Sequence, residues 1–171
     1  MKATIETERL ILRPVYPEDA EAIFKWAADP VVNKFMIYPL HASVDATREW
    51  LKGRDLDDPD SIDLGFELKE TGELIGMGGF YYKEDIDAWS VGYNLRADKW
   101  GHGYTPEAIK GILAYLEKIR PVHAIIGEFA KENPKSGRVM EKLGMHYLKD
   151  TTYTKLDGSV TFDANYYIRE F

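Results

Sequence analysis

A chain of 171 residues with 44% apolar and 13% aromatic side chains is long enough to bury one core and short enough to be one domain. Its net charge of −7 argues against a general nucleic-acid binder, and the absence of cysteine excludes disulfides, thiolate metal sites and a cysteine nucleophile. No apolar run approaches the ~18 residues of a membrane span and Met1–Glu6 has no signal-peptide core, so a soluble cytoplasmic protein without nucleic-acid or membrane partners is expected.

Leu10-Ile11-Leu12-Arg13 reads as a first strand, stopped by Pro14. Pro17 to Ala28 has helical spacing, with Ala20, Ile23, Phe24 and Ala27 on one face. Ser43 is placed to cap a second helix through Trp50 and Leu51 to Gly53, and the acidic run Asp55–Asp60 is a loop. Ile62, Leu64, Phe66 and Leu68 have the period of two of a half-buried strand; Glu70-Thr71-Gly72-Glu73 turns it into another from Leu74 to Tyr82. Trp89 to Leu95 is a further strand, and it runs into Trp100-Gly101-His102-Gly103-Tyr104-Thr105-Pro106-Glu107-Ala108.

That corner has the design of a phosphate cradle. Glycines let backbone N–H groups point at an anion, and a helix start adds unpaired donors and the positive end of a dipole. Thr105 is the expected N-cap, Pro106 the first helical residue, and Glu107 an acid in the first turn. A Walker loop needs Lys-Ser/Thr after its last glycine, and a dinucleotide fingerprint needs a third glycine where Pro106 stands, so neither applies. The N–H groups of residues 101–105, with Arg96, Lys99 and His102, would hold an anion against the acidic overall field.

The helix beyond carries Ala108, Ile109, Ile112, Leu113 and Leu116 at helical spacing and ends before Pro121. Val122 to Phe129 is a strand; Asn133-Pro134 opens a helix with Val139, Met140 and Leu143 inward and Gly144 as terminator. Two aromatic runs, Tyr147–Leu156 and Val160–Ile168, form a hairpin around Asp157-Gly158. The order predicts an α/β fold, a single domain over residues 1–171 with a mixed sheet and helices on its faces, and a ligand loop at the carboxyl end of a central strand.

These residues resemble the GCN5-related N-acetyltransferases (GNAT), in particular the branch that modifies N-termini of ribosomal proteins and various small amines. The likeness is carried by Thr7-Glu8-Arg9-Leu10-Ile11-Leu12-Arg13-Pro14, Glu73-Leu74-Ile75-Gly76, Val91-Gly92-Tyr93, the Trp100–Ala108 loop, Asn133-Pro134-Lys135-Ser136 and Val139-Met140-Glu141-Lys142-Leu143-Gly144-Met145. It covers nearly the whole chain. It implies a mostly antiparallel sheet of six to seven strands with about four helices, splayed between the fourth and fifth strands, here Trp89–Leu95 and Val122–Phe129.

The resemblance further implies acetyl-coenzyme A (acetyl-CoA) as co-substrate, no metal, and a small-molecule amine or a protein N-terminus as acceptor; a homodimer stays open. The diphosphate would take the N–H groups of Gly101, His102, Gly103, Tyr104 and Thr105, and the pantetheine arm would pair with Leu95, Arg96 and Ala97 like an added strand. Asn133 matches a position that contacts the cofactor arm, beside its expected role as helix cap.

Direct acyl transfer needs a neutral amine, a polarised carbonyl and a donor for the leaving thiolate. Many relatives place a tyrosine acid four residues before the helix-ending glycine; this chain has Met140 there, and Ser136, a serine to which the ribosomal branch assigns that role, becomes the candidate donor. For the base the candidates are Glu128, Asp87 and Glu67, or an ordered water. Trp26, Phe35, Met36, Tyr38, Trp50, Tyr81, Tyr82 and Trp89 are available as walls of an acceptor pocket formed by the first two helices, their loop and the hairpin. A non-catalytic acyl-CoA-binding or sensing domain is the alternative from another class, and another kind of nucleotide-binding fold a third.

Overall fold

The computed structural model describes residues 1–171. Its strands are β1 (Ile5–Glu6), β2 (Leu10–Arg13), β3 (Ser61–Leu68), β4 (Leu74–Lys83), β5 (Ala88–Leu95), β6 (Ala124–Ala130), β7 (His146–Thr154) and β8 (Thr161–Glu170). They form one sheet in the order β1-β2-β3-β4-β5-β6-β8-β7, antiparallel throughout except between β5 and β6. The helices are α1 (Ala20–Ala27), α2 (Pro30–Asn33), α3 (Val44–Lys52), α4 (Tyr104–Ile119) and α5 (Pro134–Lys142). No helix is long and apolar enough to cross a membrane.

The mixed α/β architecture is as expected, with eight strands and five helices in place of six to seven and about four. The extra elements are β1 and α2. A two-residue strand shows no alternation and a four-residue helix completes barely one turn, so neither has a period to read. The first predicted helix divides into a 3₁₀ turn at Pro17–Asp19 and α1, whose buried side is Ala20, Ile23 and Trp26 where Phe24 and Ala27 were expected.

The two faces of the sheet carry separate cores. On one face α4 lays down Ile109, Ile112 and Leu116, all fully buried, against Leu12, Leu64, Phe66 and Trp89, and α5 adds Met140 and Leu143. Each such side chain contributes ~1.5–3 kcal/mol through burial. On the other face α1 and α3 pack Ala20, Ile23, Trp26 and Leu51 against Leu74 and Met77. Trp26 and Trp89 are therefore core residues, and they leave the list of acceptor-pocket walls.

Pairing between β4 and β5 runs from Gly76↔Leu95 to Lys83↔Ala88, whereas β5 and β6 pair only at Trp89↔Ile125 and Ser90↔Ile126. Beyond Ser90 the two parallel strands separate, which is the expected splay, now between the fifth and sixth strands because β1 adds one. Met140 reaches into the base of this wedge. A Cβ on Gly127 would lie 2.7 Å from its Cε and 2.9 Å from Val91 Cγ1, so a larger residue there would displace the end of the Met140 side chain.

Candidate active site

The wedge faces the start of α4, and the start differs from the sequence expectation. Gly103 occupies the cap position and the helix begins at Tyr104, so Thr105 is a buried residue of the first turn and makes no capping hydrogen bond. Gly101 and Gly103 have φ of 79° and 78°, left-handed values that strain any side chain; with glycine at both, the chain turns earlier than a threonine cap would allow. Pro106 then lies third in the helix, where its missing N–H still costs no intrahelical bond.

The consequence is a row of free donors. The N–H groups of Gly101, His102, Gly103, Tyr104 and Thr105 donate to no backbone or side-chain acceptor of the protein, and the first loop-to-helix bond is Glu107 N–H to Gly103 O. Arg9, from the turn between β1 and β2, braces the loop: Nη1 donates to His102 O at 2.8 Å and Nε to Glu107 Oε1 at 2.7 Å. Arg96, expected to lend charge here, instead spends its guanidinium on Asp98 and Glu73.

Along β5 the carbonyls of Gly92 and Asn94 point at β4, so alternation turns the peptide groups of Tyr93 and Leu95 toward the wedge. Leu95 O accepts from Trp100 Nε1 at 2.8 Å; Arg96 N–H donates to Ile75 O and Ala97 O accepts from Trp100 N–H. Of the three residues expected to pair with a pantetheine arm, Leu95 turns its N–H toward the opening while its carbonyl is taken by Trp100, and the Ala97 N–H has no backbone partner.

Across the wedge, α5 begins at Pro134 with Asn133 in the cap position, yet the Asn133 side chain makes no capping bond, contrary to expectation. The first turn is instead closed by Ser136 N–H donating to Asn133 O at 3.2 Å. The Ser136 hydroxyl lies 2.9 Å from Tyr93 Oη, which also donates to Ser136 O at 2.8 Å. Burial pushes the Tyr93 phenol well above its usual range, so it stays protonated and acts as a fixed donor. At the other end, α5 closes as predicted on Gly144, with Gly144 N–H to Glu141 O and Met145 N–H to Met140 O.

The opposite face of the wedge carries one of the three candidate bases. Strand alternation puts Glu128 there, in register with Tyr166 and on the same face as Tyr81. Burial raises its carboxyl above the ordinary glutamate value, while Lys149 and Lys83 pull it down. The other two candidates are engaged elsewhere: Glu67 pairs with Arg13, which also binds Asp19, and Asp87 precedes β5 at the closed end of the wedge, held by Tyr82 Oη and His123. Tyr81 lies over Gly92, with Cε2 3.8 Å from where a Cβ there would stand. On the neighbouring strand Asp63 pairs with Arg54 at 2.9 Å.

The connection between α1 and α3 is tied to the closing hairpin. Tyr153 Oη donates to Phe35 O at 2.7 Å, Lys155 Nζ to Met36 O at 2.7 Å, and Leu156 N–H to Ile37 O at 2.9 Å. Tyr38 and Trp50 remain exposed there. No group of three or more His, Cys, Asp or Glu side chains is placed to hold a metal ion.

Known proteins share the family and the fold. The acetyltransferase (GNAT) domain family matches residues 9–146. Uncharacterized N-acetyltransferase p20 of Bacillus licheniformis is 29% identical over 143 residues, 82% of this chain and 80% of that protein. The ribosomal protein uS5-alanine N-acetyltransferase of Escherichia coli is 26% identical over 174 residues, 92% and 86% of the two chains. A GNAT-family acetyltransferase from Bacillus anthracis superposes with a TM-score of 0.84 at 25% identity over 98% of both chains. The microcin C7 self-immunity acetyltransferase MccE, solved with acetyl-CoA and AMP, has the same fold at a TM-score of 0.81 and 16% identity, covering 96% of this chain and 93% of its own. With a family match over most of its length and relatives named for the same chemistry, this chain belongs to the GNAT family and is an N-acetyltransferase.

Proposed function

We propose that the protein binds acetyl-CoA in the wedge between β5 and β6 and transfers the acetyl group directly to a primary amine, either a small molecule or a protein N-terminus. The observation that carries the reading is the row of five unpartnered N–H groups from Gly101 to Thr105 at the start of α4, a donor set that fits a diphosphate. In this reading the peptide groups of Tyr93 and the Leu95 N–H take the pantetheine amides and the free Asn133 side chain contacts the arm.

The wedge joins the two faces of the sheet, so the thioester enters from the α4–α5 side and the amine from the opposite side. The amine nitrogen attacks the thioester carbon, a C–N bond forms and the C–S bond breaks. Glu128 receives the amine proton through an ordered water, Ser136 donates a hydrogen bond to the departing sulfur, and a β5 N–H polarises the carbonyl. Glu128 suits the task because its raised pKa brings it closer to working pH than an ordinary glutamate.

Thermal unfolding with acetyl-CoA, NAD and ATP in parallel tests the reading. A ligand at ~100 times its dissociation constant stabilises by ~2.7 kcal/mol, and only acetyl-CoA is expected to raise Tm. A response to NAD or ATP with none to acetyl-CoA would remove the reading. Release of free thiol across a panel of amines and N-terminal peptides then identifies the acceptor.

A further inference from the structure

Nothing in the local sequence connects Arg9 with the anion loop, since Glu107, its partner, is 98 positions away. The contacts are nonetheless extensive. Thr7 Oγ1 donates to Glu107 Oε2 at 2.5 Å and Arg9 N–H to the same oxygen at 2.9 Å, fixing the carboxylate against the turn before β2. The Arg9 guanidinium then bridges Glu107 and His102 O and lies over the Tyr104 ring, with Cζ 4.3 Å from its centroid. Two of its three nitrogens are thus engaged. Nη2 has no partner in the protein and stands 3.6 Å from where a Cβ on Gly103 would be, at the loop whose own five N–H groups are unpartnered.

We propose that Arg9 is a diphosphate-binding residue that works in two ways: Nη2 donates to the anion, and the bridge to Glu107 neutralises an acid that would otherwise repel it. The inference rests on the acetyl-CoA reading above and goes beyond it by assigning the site's side-chain cation. A carboxylate in the first turn of a helix suits the dipole but opposes a diphosphate binding at the same end. Pairing with a guanidinium resolves the conflict, because the fork satisfies the carboxylate on one edge and keeps donors free on another. Arg96 does not serve this purpose, since Asp98 and Glu73 already neutralise it.

The test compares two donors by titration calorimetry: acetyl-CoA, and acetyl-pantetheine, which has the same thioester arm without diphosphate or nucleotide. For Arg9→Gln the dissociation constant for acetyl-CoA is expected to rise roughly tenfold or more, as charge-assisted bonds to phosphate require. That for acetyl-pantetheine should stay unchanged, and Arg9→Lys should recover part of the loss. Equal weakening toward both donors would reduce Arg9 to a structural brace and overturn the proposal, as would unaltered acetyl-CoA affinity. The pantetheine arm also reports whether the variant is folded. Failure of the native protein to bind acetyl-CoA would instead count against the acetyl-CoA reading itself, a result distinct from an Arg9 effect.

Discussion

A serine hydroxyl is a much weaker acid than the thiol it would assist, whose pKa is ~8.5 by analogy with cysteine, so Ser136 is better suited to donate a hydrogen bond to the departing sulfur than to surrender its proton. Its position is set by Tyr93, 43 residues away, whose phenol is held protonated by burial. Ser136→Ala should therefore lower kcat roughly a hundredfold, the scale for loss of one well-placed donor, with acetyl-CoA affinity retained; an unchanged kcat would free this serine from the chemistry. Glu128 makes a pH prediction. A base works only when deprotonated, and its pKa is raised, so activity should climb with pH through a midpoint above that of an ordinary glutamate. Lys149 lowers that pKa, so Lys149→Ala should move the midpoint further up, and Glu128→Gln should abolish the limb. A profile indifferent to both substitutions would leave an ordered water as the base.

The elements show where local rules suffice. Helix α4 was legible because Ala108, Ile109, Ile112, Leu113 and Leu116 recur at helical spacing, and all five are buried. Its first turn was harder, because Thr105-Pro106 is a strong start signal and was outweighed by Gly103, whose left-handed backbone opens the helix at Tyr104. The same glycine supplies a prediction. Gly103→Asp forces a side chain into a strained conformation and sets a negative charge among the unpartnered N–H groups proposed to hold the diphosphate, so the acetyl-CoA-induced rise in Tm should vanish. A preserved rise would move the diphosphate away from α4. In α5 the spacing located the helix and its Gly144 stop, while the free Asn133 side chain shows that a capping residue in a capping position can still be left for another partner.

Across the molecule, the periodic elements, the absence of cysteine and the glycine corner after a central strand could be read from the residues alone. Each follows from spacing, composition or backbone freedom within a few residues. The tertiary structure decided what depends on chain segments far apart: that β5 and β6 pair at only two positions before parting, that Met140 fills the base of the gap against Gly127, and that Tyr93 pins Ser136. It also separated Glu128, which has no ion-pair partner, from Glu67 and Asp87, which are engaged with Arg13 and His123. Arg9 is the extreme case: its meaning lies in the register that brings the turn before β2 to the start of α4. Ion pairs and clefts of this kind arise when packing of the two cores fixes the relative positions of distant elements, and no local propensity encodes that distance.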